Sequence, residues 1–136
     1  EAQHYFMQVL KSTPPYEMEF SARMKLASNY DGTSESKEMI IKELNRMLKD
    51  DKNNEFRDQI FYAFSEIARI DENKEDRMDY LGKSVSAYVN NNYQRTFSSI
   101  TLADLLFEKD EYIKAQAYYD TALLALPSDY PNRESI

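Results

Sequence analysis

The sequence predicts an all-α fold: a solenoid of about three helix-turn-helix repeats plus a leading helix, about seven helices in all. Three observations carry this. Apolar residues recur at spacings of three and four in segment after segment, the period of one helical face. Only two glycines and four prolines occur in 136 residues, which leaves little room for a set of β-hairpins. Finally, helical segments come in pairs that align with one another. Ala27, Ser65 and Ala103 are separated by steps of 38, and Ile41, Met78 and Ala115 by steps of 37. In that register Leu48, Val85 and Ala122 coincide, as do Asn45, Gly82 and Tyr119. Each pair alone cannot cover its apolar face, so stacking is what stabilises it. A closed helical bundle is the competing arrangement, and it predicts no such register.

The elements follow in order. Residues 1–12 read as a leading helix with Tyr5, Phe6, Val9 and Leu10 on one side. Thr13-Pro14-Pro15 ends it, and Pro15 suits the first turn of the next helix. That helix runs to about Tyr30 with Phe20, Met24 and Ala27 as its apolar positions. Asp31-Gly32 stops it, Gly32 supplying positive φ. Ser34 or Ser36 is the expected cap of a helix through Leu48 that carries Ile40, Ile41, Leu44 and Leu48. Residues 49–54 read as a polar turn. The next helix covers 55–70, with Phe56, Ile60, Ala63, Ile67 and Ile70 in series. Residues 71–76 read as a charged turn before a helix with Met78, Leu81, Val85 and Tyr88. Asn90, Asn91 and Asn92 break it. The last pair turns at Glu108 to Glu111, and Pro127 stops its second helix. The repeats span about 15–50, 54–91 and 93–127 of a single domain, with 128–136 as a tail.

Composition excludes several classes. The net charge is −7, and Lys and Arg are scattered without a stripe. That disfavours nucleic acid and anionic membrane surfaces as partners. No apolar run reaches the roughly 20 residues of a membrane span. With no cysteine, disulfides, thiol catalysis and Cys-ligated zinc are out. The chain starts at Glu1 rather than Met and reads as a piece of a longer protein.

In the last pair, Tyr112, Ala115, Tyr119, Ala122 and Leu126 share one helical face. Ala115, an aromatic four residues on, Ala122 and then Pro127 form the second half of the tetratricopeptide repeat (TPR) signature. Its first half is weaker, with Ser99, Leu102, Ala103 and Leu106 at the usual Trp, Leu, Gly and Tyr positions. The fold is therefore TPR-like.

Two segments carry more specific motifs: RMLKDDKNNEFRDQIFYAFSEIA (Arg46 to Ala68) and SVSAYVNNNYQRTFSSITLADLLFEKDEYIKAQAYYDTALLALPSDYP (Ser84 to Pro131). Over roughly residues 40–131 the chain resembles the TPR region of the SprE/PorW lipoproteins of Bacteroidota. The shared pattern is D-x-K-N-x-E-[FY]-x-D-Q-I-Y-Y-A, then S-V, Q-[KR], L-A-D and A-x-x-Y-Y-D. Phe61 stands where Tyr is usual and Phe64 where Leu is usual. The resemblance implies an accessory part in type IX secretion and gliding motility at the periplasmic face of the outer membrane. Other secretion or motility components would be the partners. A lipid anchor would lie outside this chain. It implies no catalytic residue.

The residues ask for no catalysis, metal or cofactor. His4 is the sole histidine, which leaves no basis for a Ser-His-Asp arrangement or a histidine-based metal site. Glu108, Asp110 and Glu111 cluster in a turn but lack the spaced D-x-D-x-D-G pattern of a calcium loop. The eleven tyrosines suit rings packed between helices with hydroxyls at the surface.

What the array offers is a groove lined by the first helix of each pair. With Ser65 and Ala103 turned toward their partner helices, the groove stripe is Gln59, Tyr62, Glu66 and Arg69, then Phe97, Ile100, Asp104 and Phe107. The counterparts in the first pair are Ser21, Met24, Ser28 and Asp31. The stripe lacks the Lys and Asn cluster of a carboxylate clamp. It suits a protein or peptide partner held by apolar anchors, with Arg or Lys on Glu66 and Asp104. Two alternatives stand beside it. Phe97 and Phe107 pack internally against a neighbouring repeat, or the whole array is a structural spacer between domains of an envelope protein.

Overall fold

The computed structural model describes residues 15–129. Among them are six α-helices and one 3-10 helix, and no strand. The helices are α1 (Pro15–Ala27), α2 (Ser34–Lys49), α3 (Arg57–Ile70), α4 (Lys74–Ser86), α5 (Asn92–Glu108) and α6 (Tyr112–Ala125). The leading helix expected over 1–12 and the end of the tail, 130–136, lie outside the described residues. No described helix is long and apolar enough to cross a membrane.

The helices pair as α1–α2, α3–α4 and α5–α6, and the pairs stack. α1 touches α3 and α3 touches α5; α2 and α4 touch the first helix of the following pair; α2, α4 and α6 do not touch one another. Helices that abut form the inner layer of a curved array, and those that splay apart form its outer layer.

Burial repeats with the predicted stride. At an offset of 38, Ile60 and Ser98, Phe64 and Leu102, Ser65 and Ala103, Ile67 and Leu105, and Ala68 and Leu106 are all buried pairs. At an offset of 37, Leu44 matches Leu81 and Met47 matches Ser84, each fully buried. The turns repeat as well. Glu72 and Asp110, 38 apart, both adopt positive φ. Each is followed by the same closing bond: Asn73 N donates to Ala68 O and Glu111 N to Leu106 O, at 2.8 and 3.0 Å. This is the helix-ending motif that usually uses Gly, here carried by acidic residues. Gly32, the positive-φ residue of the first turn, lies 40 positions before Glu72, so the first step is longer at its turn than the second.

Several boundaries differ from expectation, each for a local reason. The cap of α2 is Thr33, whose Oγ1 accepts from Ser36 N; Ser34 and Ser36 fall inside the helix. The stretch expected as a polar turn at 49–54 contains a 3-10 helix, Asp51–Phe56. Asn53 explains it: 1% exposed, it donates from Nδ2 to Met47 O and satisfies a carbonyl at the end of α2. The charged turn at 71–76 is shorter, because Asn73 caps α4 by accepting from Asp76 N. Glu75 and Asp76 then sit in the first turn of α4, where the helix dipole favours acids. In α3, Ile70 of the predicted apolar series is 38% exposed while Phe64 and Ala68 are buried. That helix is covered from both sides, by α2 and α4, so its apolar arc is wider than one stripe.

Two cores result. Phe20, Tyr30, Ile40, Leu44, Met47, Ile60, Phe64 and Ile67 bind the first pair to the second. Phe20 stacks on Phe56 at 4.4 Å between ring centres, and Phe64 on Tyr80 at 4.9 Å. Leu81, Leu102, Leu105, Leu106 and Ala115 bind the second pair to the third. A polar seam joins α3, α4 and α5: Ser84 donates to Asp58 O and shares a bond with Ser98, which accepts from Gln94.

Candidate functional site

The inner helices α3 and α5 bring the two halves of the expected stripe together. Ser65 and Ala103 are fully buried, which turns the opposite arc of each helix outward. Tyr62 meets Phe97 edge to face, 5.4 Å between ring centres at 74°. This contact joins consecutive repeats, yet Phe97 remains 44% exposed. Phe97 therefore packs between repeats and presents its ring to solvent at once, while Tyr62 is half-buried against the second core. Burial, with the Glu66 charge beside it, pushes the Tyr62 hydroxyl up to about 12.

Along α3, Gln59 is half-buried beside Tyr62. Glu66 and Arg69 close on each other, both carboxylate oxygens accepting from Nε at 3.2 Å. Along α5, Ile100 is half-buried and Asp104 is exposed. Phe107 is 55% exposed and meets Tyr112 edge on at 5.0 Å. Ten residues separate Phe97 from Phe107, so the stripe on α5 is about 15 Å long at the helical rise.

The counterparts on α1 do not extend it. Met24 packs on the first core. Asp31 accepts from both the amide and the hydroxyl of Thr33, an arrangement that shapes the turn and holds the Asp31 carboxyl below its usual range. Ser28 donates to Lys25 O and, like Asp31, lies past the end of α1 at Ala27, so Ser21 is the one exposed position of that line on the helix itself.

Residues of α6 complete the stripe. Tyr119 donates its hydroxyl to Asp104, and Tyr112 donates to Asp110 at 2.7 Å. The bond to Asp104, aided by burial, pushes the Tyr119 hydroxyl up to about 12. The i, i+7 spacing of the two tyrosines places them on one face, but that face reads as core because Ala115 and Ala122 share it. The structure buries the alanines and lets the longer rings reach past them to the edge.

The acids around the last turn are mostly matched. Glu108 pairs with Lys74 at 3.3 Å, Glu75 with Lys109 at 3.0 Å and Glu111 with Lys114 at 3.4 Å. Among the described residues no three His, Asp or Glu gather as a metal site. A cavity of about 570 Å³ between α1 and α2, lined by Arg23, Asn29, Met39 and Ile40, takes in Asp31 of the expected first-pair counterparts and no stripe residue of α3 or α5. What the stripe presents is two aromatic pairs flanking a carboxylate.

A family model described as the SusR N-terminal TPR domain matches residues 1–125. No curated protein matches the chain.

Proposed function

The chain belongs to the SusR N-terminal TPR domain family, and on that premise we propose that it is a protein-interaction scaffold whose α3–α5 face seats a segment of a partner protein. The observation that supports this face over others is the Tyr62–Phe97 contact. It makes one continuous aromatic surface out of two repeats, and exposed aromatic anchors dominate the energetics of such interfaces. Changing both Tyr62 and Phe97 to Ala should abolish partner capture from a cell-envelope fraction while the helical CD signal is kept. Capture at the wild-type level would remove this face from the proposal.

We further propose, on the motifs of residues 40–131 alone, an accessory role in type IX secretion and gliding motility at the periplasmic face of the outer membrane. The support is the SprE/PorW resemblance. Deleting the gene in its host should impair secretion and spreading, and an undisturbed secretome would end this narrower reading while leaving the scaffold intact. The alternative of a purely structural spacer draws on a different surface: Ile113 and Leu124 on the outer side of α6 are 88% and 90% exposed. It requires that stripe substitutions be silent and that deleting a repeat be harmful.

A further inference from the structure

Among the acids that border the stripe, two differ from the rest. Glu66, Glu75, Glu108 and Glu111 each have a Lys or Arg within 4 Å. Asp104 and Asp110 have none among the described residues; each is held by a tyrosine hydroxyl instead. A hydroxyl donor fixes a carboxylate in place but leaves its full charge standing. Asp104 sits on α5 between the Tyr62–Phe97 and Phe107–Tyr112 ring pairs, with the Tyr119 ring beside it. This is a negative charge, oriented in advance, on a line of exposed aromatic faces.

We propose that the segment seated on this face carries an arginine that binds Asp104, flanked by apolar residues that bind the two ring pairs. The proposal rests on the groove reading above and names the partner's chemistry. A guanidinium fits for three reasons. Its planar fork matches a carboxylate, and its face stacks on aromatic rings, where a lysine ammonium does neither as well. The same chain already uses that stack: the Arg95 guanidinium lies 4.5 Å from the centre of the Tyr88 ring. The net charge of −7 draws basic segments toward the surface and repels acidic ones. Glu66 is not the receptor for a second cation, since Arg69 already occupies both of its oxygens. One basic residue between two apolar anchors, spanning about 15 Å, is the pattern that results.

The test uses the full chain and a displayed random-peptide library as the probe. Peptides enriched on the wild-type protein should carry an arginine between apolar residues. A synthetic copy of one should bind Asp104→Asn about tenfold more weakly, and Asp104→Asn should no longer distinguish it from its Arg→Gln version. Tyr119→Phe, which removes the hydroxyl and keeps the charge, should retain the arginine preference. It keeps the test open should Asp104→Asn fail to fold. Enriched peptides without basic residues that still lose binding on Tyr62→Ala with Phe97→Ala would overturn the arginine and leave the groove standing. Peptides indifferent to Tyr62 and Phe97 would overturn both, and a library from which nothing is enriched would also overturn the proposal.

Discussion

Tyr30 donates its hydroxyl to Asp71 at 2.6 Å across 41 positions of sequence. Lys37 Nζ lies 2.8 Å from the other oxygen of that carboxylate. The turn before α2, α2 itself and the turn after α3 are thereby tied together, which locks the first repeat to the second. The bond to Asp71 pushes the Tyr30 hydroxyl up to about 12. Lys37 and Tyr30 together hold the Asp71 carboxyl below its ordinary range. For Tyr30 the folded value lies above the unfolded one. Its contribution is therefore full below about pH 10 and is lost as pH rises through about 12. For Asp71 the sign reverses: its contribution holds above the unfolded carboxyl value and is lost as pH falls through the folded one. Urea midpoints measured against pH should show Tyr30→Phe flattening the alkaline limb and Asp71→Asn flattening the acid limb. A Tyr30→Phe profile that overlays the wild type would show that the bond adds no stability.

Asp58 predicts the opposite slope for a carboxyl. It is 1% exposed; Oδ1 accepts from the neighbouring Gln59 amide, and Oδ2 has no hydrogen-bond partner among the described residues. Burial pushes its pKa up. A carboxyl with a raised folded value is harmless where both states are protonated, and it costs stability as pH climbs through the unfolded and then the folded value. Asp58→Asn keeps the shape and removes the charge. It should stabilise the protein by roughly 1 kcal/mol at neutral pH and not at all near pH 3, by chemical denaturation at the two values. A loss of stability at neutral pH would mean that the charge is compensated in solution.

The stride was legible because stacked repeats impose the same burial on equivalent positions. Ser65 and Ala103 are small for the same reason, and the alignment finds them without coordinates. Turn chemistry was less legible. Glu72 and Asp110 take a left-handed conformation that glycine would have announced; a charged side chain at that position carries no mark in the sequence. Asn53 looked like part of a polar loop because only the fold reveals the carbonyl of Met47 that it serves. At the candidate site, Tyr62 and Phe97 could be placed by helical period, since both lie on inner helices. Tyr112 and Tyr119 could not, because they share their face with buried alanines and only ring length separates them from the core. Asp31 lies off the stripe for a related reason: α1 ends at Ala27, and helical periodicity does not apply in the turn beyond it.

The α5–α6 contact depends on small residues. Ala103, Ala115 and Ala122 are at most 1% exposed, and these two helices pack against each other extensively. A leucine at Ala103 or Ala122 must push the helices apart or leave its rotamer well. Each should cost about 1–3 kcal/mol, read from thermal or urea unfolding. Ala117→Leu is the control. Ala117 is exposed on α6, and its replacement should stay within about 0.5 kcal/mol of wild type. Equal effects at Ala117 and Ala122 would mean that helix pairing is loose enough to absorb a leucine.

The chain has two glycines, and alanine at each should act with opposite sign. Gly32 has φ of +89°. A Cβ there would have room, the nearest atom being Ile70 Cγ2 at 3.8 Å, so the cost is conformational rather than steric. Gly32→Ala should lose about 1–2 kcal/mol. Gly82 lies inside α4 with ordinary helical backbone, and a Cβ there would meet only Leu102 Cδ2 at 4.0 Å. That is a normal packing distance. Gly82→Ala removes unfolded-state freedom and fills a thin contact with α5, and should gain roughly 0.5–1 kcal/mol. Measured together by urea unfolding, the pair separates two explanations for glycine in a helical repeat. If both variants lose stability, the second and third repeats approach more closely at Gly82 than a 4.0 Å contact allows. If only Gly32→Ala does, glycine is required at the turn and is merely tolerated in the helix.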